Sequence, residues 1–443
     1  MAIIEKIQAR QIFDSRGNPT VEVDIEIEND HKSKIAYARA SVPSGASVGK
    51  NEAVEIRDNL AAYNGKSVTK AIENIHKIIA PAICGKNFVS VQELDAELNK
   101  LDPSMNKNKL GANAILPVSA SFTKAYATLN GISLYQQFSN MLQEIAECSK
   151  ETISKFSAAL PTPMLNVING GKHADNLLSI QEFMIIPTGI TGISEQLRIT
   201  HETIDVLRKL LKQKGFSVNV GDEGGFAPQL RQTEEALDLL CNAIKLAGYD
   251  NQIMIGLDSA ASEFYSNGIY SLDNKNLTSQ QLVEYYHNLI QKYPNLISIE
   301  DPFAEDDAEG WIQGTNLLSE KIKLIGDDIF VTNSAILSQG IKNSIGNGIL
   351  IKPNQVGTIT ETIKTISTAI KANYTPIISH RSGETEDTLI AHLAVGVGSP
   401  YIKTGSLCRG ERVNKYNELI RIDEALTTAK KQISTFAQNK FLC

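Results

Sequence analysis

The stretch that decides the fold runs from Ile253 to Arg409. Within it, short apolar segments repeatedly end in polar or charged residues: IMIGLD (253–258), LISIED (296–301), KLIGDD (323–328), GILIKPN (348–354), PIISHRSGE (376–384) and PYIKTGS (400–406). Each segment has the length and β-branched content of a buried strand, and amphipathic helical sequence separates most of them. This rhythm predicts a parallel sheet. Six such units, with more apolar segments upstream, predict a closed (β/α) barrel.

The polar residues at the ends of these segments predict one shared site. In a barrel the strand ends face a common mouth, where active sites lie. Crowded carboxylates repel one another unless a cation lies between them, and ligands that are all oxygen favour Mg²⁺ over Zn²⁺. The alternative, that acidic residues end strands because loops are solvated, suits a single residue better than six consecutive strands. The mouth is expected to hold three carboxylates and three cations: Asp258, Glu300, Asp327, Lys352, Arg381 and Lys403.

Length and charge bound the class of protein. The chain has 443 residues, and a barrel of about 250 residues leaves room for a second domain. The 43 Lys and Arg against 50 Asp and Glu give a net charge of −7, without a basic block. This balance gives no support to primary nucleic-acid binding or to a polybasic membrane patch.

Cysteine usage and the N-terminal residues predict the compartment. The five cysteines are scattered and form no CxxC pair, which is typical of a reducing environment. The start MAIIEKIQARQ has charges within its apolar stretch, and no uncharged apolar run reaches the length of a membrane span. The sequence therefore predicts a soluble, cytoplasmic protein.

The N-terminal third has a different period. Apolar residues alternate with acidic ones over 21–28, and a second alternating run over 33–42 predicts a hairpin, with residues 2–14 as a third strand. These features predict a small α+β domain that also carries a mobile loop, PSGASVG (43–49). Helices are expected at 52–62, 67–83, 90–101 and 110–129. The predicted division is 1–137 for this domain, 138–159 for a connecting segment, and 160–443 for the catalytic barrel.

Two further stretches carry buried or constrained acids. In SIQEFMII (179–186), Gln181 and Glu182 lie in the middle of a predicted apolar strand, where unsatisfied polar groups cost several kcal/mol. A structural hydrogen-bond network is the simpler explanation for Gln181. In GDEGGFAP (221–228), Asp222 and Glu223 stand between glycines directly after a predicted strand, which suits a positioned acid or base better than a packed core.

Together these residues favour one reaction class. A lysine among other cations can be partly neutral and act as a base, and Glu223 can give a proton to a leaving oxygen. Arg381 and Ser382 after a strand suit a phosphate group. The combination describes removal of a proton α to a carboxylate, followed by loss of a β-hydroxyl, on a phosphorylated acid. It does not select the substrate.

Eleven motifs, in this order over nearly the whole chain, resemble those of the enolase family (phosphopyruvate hydratase): SRGNPT, PSGAS, NGGKHADN, QEFMI, GDEGGFAP, LDSAASEFY, SIEDPF, GDDIFVTN, IKPNQVGT, SHRSGETED and IKTGS. The resemblance implies a modified (β/α)8 TIM-type barrel with an N-terminal α+β domain, in a homodimer. It implies dehydration of 2-phosphoglycerate to phosphoenolpyruvate with two Mg²⁺ per active site, the second bound with substrate.

The resemblance also implies a role for each matched position. Lys352 matches the base that removes the C2 proton, and Glu223 matches the acid for the 3-hydroxyl, with Glu182 supporting it. The ligands of the tighter Mg²⁺ are matched by Asp258, Glu300 and Asp327, and the ligand of the second Mg²⁺ by Ser47. Substrate-contacting positions are matched by His173, His380, Arg381, Ser382 and Lys403.

The chain departs from the family pattern at three places. Val48 stands where Thr is usual, the segment around 139–159 is longer than the family's connection, and the chain ends at Cys443 rather than Lys. Two alternatives stay open at this point. One is a related lyase that acts on another hydroxy acid. The other is an additional scaffold role, in an RNA-degrading complex or at a cell surface. The sequence also leaves open an assembly larger than a dimer.

Overall fold

An antiparallel sheet opens the chain. In the computed structural model, which describes residues 1–31, 33–45, 49–146 and 158–428, its strands are β1 (Ala2–Phe13), β2 (Pro19–Asn29), β3 (Ile35–Ser41) and β4 (Asn87–Phe88). The sheet order is β3-β2-β1-β4. Val21, Val23, Ile25 and Ile27 are fully buried, because a strand places alternate side chains on one face. The predicted hairpin and third strand are confirmed.

Helices follow this sheet and pack on it. They span Thr69–Asn74, Ala80–Ile83, Val91–Leu101, Ala112–Leu129 and Leu134–Ala146, with a π-helical turn at Ile75–Ile79 and a 3₁₀ turn at Ala62–Gly65. The predicted helices at 67–83, 90–101 and 110–129 are confirmed.

The predicted helix at 52–62 is wrong. The backbone there is not helical, and its N–H groups bond to distant segments. Ala53 N donates to Gln355 O at 2.9 Å, and Val54 N donates to Asn106 O at 2.7 Å. These tertiary hydrogen bonds take the place of those that a helix would supply internally.

Strands between residues 162 and 403 close into the predicted barrel. The barrel strands are β5 (Thr162–Asn169), β6 (Glu182–Pro187), β7 (Ile253–Asp258), β11 (Leu296–Glu300), β12 (Lys323–Gly326), β13 (Gly348–Ile351), β14 (Thr375–Ser379) and β15 (Tyr401–Lys403). Between β7 and β11 the chain forms a separate sheet of β8 (Tyr265–Ser266), β9 (Ile269–Leu272) and β10 (Lys275–Leu277). The barrel order is β11-β12-β13-β14-β15-β5-β6-β7.

Helices alternate with most of the barrel strands. They span Ile193–Gln213, Thr233–Ala247, Ser279–Lys292, Ala308–Leu318, Ser334–Lys342, Ile359–Lys371, Leu389–Gly396 and Gly410–Thr428. Short 3₁₀ turns lie at Gly171–His173, Ala261–Phe264 and Pro353–Gln355. Among the described residues, no helix has both the length and the apolar character needed to cross a membrane.

One barrel strand departs from the parallel pattern. β6 pairs antiparallel with both β5 and β7, whereas β7 and β11 to β15 pair in parallel as predicted. The reversal follows from the connection, because the short segment 170–181 returns the chain directly instead of crossing over through a helix. A separate apolar cluster is drawn from strands around the whole barrel: Met164, Met184, Ile186, Ile297, Ile325, Leu350, Ile377 and Tyr401.

A buried carboxylate joins the N-terminal helices to the barrel. Asp95, in the helix Val91–Leu101, accepts hydrogen bonds from Thr360 N at 2.8 Å and from Thr360 Oγ1 at 2.6 Å. It thereby satisfies a donor at the N-terminus of the helix Ile359–Lys371, as a capping residue does. Lys107 adds an ion pair to Glu361 at 3.0 Å in the same joint.

This joint predicts a pH effect on stability. Burial raises the pKa of Asp95 to about 6, so the folded chain binds this proton more readily than the unfolded chain. The free energy of unfolding therefore rises as the pH falls through the pKa of Asp95 in the folded chain. We expect the wild-type chain to gain about 1 kcal/mol relative to Asp95→Asn between about pH 7.5 and about pH 5. Urea unfolding of both proteins at the two pH values measures the difference, and parallel pH profiles would contradict it.

Candidate active site

Strand ends bring the predicted acids and cations to one mouth of the barrel. Asp258 ends β7, Glu300 ends β11, and Asp327 directly follows β12. Lys352 directly follows β13, and Lys403 ends β15. These residues reach the same edge because their strands run in parallel.

Glu182 reaches this mouth by a different route. The sequence placed it in the middle of a strand, but it is the first residue of β6, and Gln181 precedes the strand. Because β6 runs in the opposite direction, its first residue lies level with Asp258, the last residue of β7. The hydrogen-bond network expected for Gln181 is only partly present: its Nε2 donates to Asp258 Oδ2 at 3.4 Å, but its buried Oε1 has no hydrogen-bond partner.

Lys403 lies among three carboxylates. Its Nζ is 2.8 Å from Glu300 Oε2, 3.0 Å from Asp258 Oδ2 and 3.2 Å from Glu182 Oε2. Burial opposes the charge of this ammonium, but Asp258 and the other carboxylates raise its pKa well above the ordinary value. Burial and the neighbouring Asp258 also raise the pKa of Glu300 well above its usual range.

Lys352 is paired with Asp327. Its Nζ donates to Asp327 Oδ2, and both side chains are 12% exposed. Burial lowers the pKa of Lys352, but the charge of Asp327 outweighs burial and raises it above the ordinary value. Arg381 and Lys403 lower the pKa in turn, because like charges disfavour another cation. The lysine is therefore held as a cation mainly by one carboxylate.

A second group of titratable residues surrounds Glu223. His173 Nδ1 lies 3.5 Å from Glu182 Oε1 and 3.8 Å from Glu223 Oε1, and His380 Nε2 lies 3.5 Å from Glu223 Oε2. Asn166 Nδ2 donates to Glu223 Oε2 at 3.1 Å. The expected strand before Glu223 is reduced to a single bridge between Val220 and Phe226.

These contacts separate the pKa values of two neighbouring carboxyl groups. Burial, followed by the charge of Glu223, raises the pKa of Glu182 to about 7. Burial raises the pKa of Glu223, but His173 and His380 outweigh burial and hold this pKa well below its usual range. Burial opposes the charge of His173, but Glu223 and Glu182 raise its pKa to about 9. The arrangement therefore favours protonation of His173 and Glu182 and ionisation of Glu223.

Two groups among the described residues bring three possible ligand atoms within 4.8 Å of one another. They are His173, Glu182 and Glu223, and Asp301, Asp327 and Asp328. The predicted set of Asp258, Glu300 and Asp327 is not one of these groups. The ammonium of Lys403 contacts Asp258 and Glu300, and that of Lys352 contacts Asp327. The possible metal ligands at the strand ends, Asp258, Glu300 and Asp327, are all carboxylates, and they are buried. This donor set fits a hard divalent cation.

Arg381 is held by a carboxylate that the sequence analysis missed. Its Nη1 lies 2.9 Å from Glu52 Oε2, and its Nη2 donates to Glu52 Oε1 at 3.1 Å. Gln355 Nε2 donates to both Glu52 Oε1 and Asp327 Oδ1, each at 3.2 Å. Glu52 thus connects the end of the 43–49 loop to the candidate site. No local pattern distinguishes Glu52 from the other acids of KNEAVEIRD, so only the tertiary contact identifies it.

The predicted site residues line one small cavity. It is bordered by His173, Glu182, Glu223, Asp258, Asp327, Lys352, His380, Arg381, Ser382 and Lys403. Glu300 joins them through Lys403, and Ser47 lies outside the described residues. A larger groove of about 840 Å³ lies elsewhere, with Phe13, Arg39 and Glu418 among its lining residues, and contains none of the predicted site residues.

Fold and site together define a class of protein. A closed barrel follows an N-terminal α+β part in the chain and carries a buried set of carboxylates and lysines at one mouth. Such a site suits metal-assisted acid–base chemistry on an anionic substrate. Residues 157–440 match the family description "Enolase, C-terminal TIM barrel domain", and residues 4–138 match "Enolase, N-terminal domain". The chain belongs to the enolase family, the lyases known as phosphopyruvate hydratases, and this family implies a divalent metal.

Curated relatives agree over almost the whole length. The chain is 47% identical to an enolase of Ehrlichia canis (strain Jake), with 96% of each chain covered. It is 46% identical to an enolase of Ehrlichia ruminantium (strain Welgevonden), with 96% of this chain and 97% of the relative covered. It is 48% identical to an enolase of Ehrlichia chaffeensis (strain ATCC CRL-10679 / Arkansas), with 96% of each chain covered.

Proposed function

We propose that this chain catalyses the reversible, Mg²⁺-dependent dehydration of 2-phosphoglycerate to phosphoenolpyruvate. The observation that carries the proposal is the meeting of two groups in one cavity. A lysine is held by a single carboxylate, and a glutamate is flanked by two histidines. The first group can remove a proton from carbon, and the second can deliver one to a leaving hydroxyl.

Lys352 is the proposed base. Its positive charge depends mainly on Asp327, and burial together with Arg381 and Lys403 acts in the opposite direction. Asp327 is also a proposed metal ligand, and a cation held there would offset the charge that raises the pKa of Lys352. The amine of Lys352 would then be deprotonated more easily and could accept the C2 proton.

Glu223 is the proposed acid for departure of the 3-hydroxyl. Its neighbours hold the pKa of Glu223 well below the usual range, so Glu223 has to gain a proton before it can act as the acid. His173 and Glu182 hold protons near neutral pH, and His173 Nδ1 lies 3.8 Å from Glu223 Oε1. Glu182 is proposed to support Glu223 through this shared neighbour, because Glu182 Oε1 lies 3.5 Å from the same His173 Nδ1.

Asp258, Glu300 and Asp327 are the proposed ligands of one Mg²⁺, and Ser47 is proposed to meet a second one that binds with substrate. Bound divalent ions supply positive charge for the carboxylate that becomes doubly charged when the C2 proton leaves. Lys403 contributes charge in the same place, because its Nζ already contacts Asp258 and Glu300. His173, His380, Arg381 and Ser382 are proposed to contact the substrate.

Arg381 is the proposed phosphate-binding residue. Glu52 holds its guanidinium through two nitrogens, and a fork held in this way suits a phosphate better than a flexible ammonium does. We expect Arg381→Lys to raise KM for 2-phosphoglycerate about 10- to 100-fold, the cost of about 1.5–3 kcal/mol for a lost charge-assisted hydrogen bond. Steady-state kinetics measure this change. Inhibition by glycerate, which lacks the phosphate, should stay near the wild-type value, and an equal loss for both ligands would argue for a lyase that does not recognise phosphate.

One assay tests the function directly. Purified chain with 2-phosphoglycerate and Mg²⁺ should form phosphoenolpyruvate, and a chelator should abolish the activity until excess Mg²⁺ is added. A chain that stays inactive with ample Mg²⁺ would overturn the proposal. Homodimer formation, a cytoplasmic location, the domain division at 137 and 160, and additional RNA-degradation or surface partners remain predictions.

A further inference from the structure

A buried arginine outside the matched motifs contacts the candidate site. Arg412 is the third residue of the helix Gly410–Thr428 and is 0% exposed. Burial of a cation is costly, and a helix N-terminus disfavours positive charge, so the position needs a compensating role. Its guanidinium supplies that role through contacts to the segment that follows β14.

The contacts of Arg412 converge on three consecutive residues. Nη1 lies 2.5 Å from His380 Nδ1 and donates to Arg381 O at 2.5 Å, and Nη2 donates to Ser382 O at 2.5 Å. Nη2 also donates to Asp222 O at 3.2 Å, next to Glu223. One side chain therefore connects the His380–Ser382 segment to the loop that carries the proposed acid.

The contact to His380 determines its tautomer. A guanidinium has only donors, so His380 Nδ1 has to be the acceptor in this contact. A neutral imidazole carries one N–H, which is then on Nε2, and Nε2 lies 3.5 Å from Glu223 Oε2. A protonated ring would place an N–H against Arg412. Burial lowers the pKa of His380 to about 3, and the charge of Arg412 acts in the same direction.

We propose that Arg412 is a positioning residue for the dehydration step. It holds His380 as the neutral Nε2–H tautomer that faces Glu223, and it orients the carbonyl groups of Arg381 and Ser382. The N–H of His380 thereby keeps the Glu223 carboxyl aligned for proton transfer to the leaving hydroxyl. The kinetic consequence rests on the role proposed above for Glu223, whereas the tautomer does not depend on it.

The first test reads the tautomer. In ¹⁵N-histidine-labelled protein, with His380 assigned by its loss in His380→Gln, wild-type His380 should have an unprotonated Nδ1 and a protonated Nε2 near neutral pH. Arg412→Met removes every donor while leaving a side chain of similar length, so Nδ1 of His380 should gain a proton. A protonated Nδ1 in the wild-type chain, or an unchanged tautomer in Arg412→Met, would overturn the proposal.

The second test reads catalysis. We expect Arg412→Met to lower kcat about 10- to 100-fold, as loss of a group that fixes a histidine tautomer does, with a smaller change in KM. Arg409→Lys is the control, because Arg409 directly precedes the same helix and contacts Ser15 and Glu411, which Arg412 also contacts, rather than the His380–Ser382 segment. An equal loss of kcat in the control would indicate that Arg412 has only a structural role, contrary to the proposal.

The tests also cover an Arg412→Met protein that does not fold and a wild-type chain that is inactive. If Arg412→Met does not fold, Arg412→Lys takes its place, since an ammonium keeps the charge but cannot serve His380 and both carbonyl groups in the same geometry. Full kcat in a folded Arg412→Lys would then count against the proposal. If the wild-type chain is inactive with Mg²⁺, the proposed function fails, while the ¹⁵N comparison still decides the tautomer.

Discussion

Lys352→Met is expected to lower kcat for dehydration about 10⁴-fold, the upper range for loss of a general base. The methionine side chain has a similar length but cannot accept a proton, and no other amine is proposed to reach C2. Loss of the lysine also leaves Asp327 without the cation that holds its pKa below the ordinary value. Phosphoenolpyruvate formation by ultraviolet absorbance and C2 hydrogen–deuterium exchange by NMR measure the effect. Both should be lost together, because proton removal precedes departure of the hydroxyl.

A matched lysine outside the site provides the control. The Lys107 side chain is 5% exposed and pairs with Glu361 at 3.0 Å, so it resembles Lys352 in burial and partner. Lys107→Met should keep kcat near the wild-type value even where it lowers the unfolding midpoint. Wild-type C2 exchange in a folded Lys352→Met protein would remove Lys352 from the role of base.

Glu223→Gln is expected to separate the two halves of the reaction. The amide has nearly the same shape and can remain between His173 and His380, but it cannot transfer a proton to the leaving hydroxyl. We expect dehydration to fall about 10³-fold, within the range for loss of a general acid, while C2 exchange continues because Lys352 is intact. The ratio of the two rates in one protein is the informative quantity.

Two comparisons make this result interpretable. Glu361→Gln changes a glutamate of the Lys107 pair outside the site and should leave both rates near the wild-type values. Equal loss of exchange and dehydration in Glu223→Gln would indicate that Glu223 acts on substrate binding or on proton removal, contrary to its proposed role as acid. Retained dehydration would exclude it as the acid.

Local sequence pattern was sufficient for the barrel and for most of the strand-end residues. Apolar, β-branched runs ending at Asp258, Glu300 and Lys403 predicted buried strands, and the structure ends strands at those residues. The alternation over 21–28 likewise predicted β2. Burial of a strand face and its exit into a loop depend on the composition of a few consecutive residues, so such features can be recognised from the sequence alone.

Other features depended on partners that are distant in the chain. The residues at 52–62 have a helical pattern but bond to Gln355 and Asn106, and Glu52 pairs with Arg381, 329 residues away. The reversal of β6 decides that Glu182 reaches the mouth of the barrel from the first residue of its strand.

The sequence by itself predicted most of the strand ends and a reaction class and, through the resemblance, identified the family. Only the tertiary structure decided which groups are paired: Lys403 with three carboxylates, Lys352 with Asp327, and Arg412 with His380. The physical reason is that an apolar pattern acts over neighbouring residues, whereas a charge responds to every group within a few ångströms, wherever that group lies in the chain.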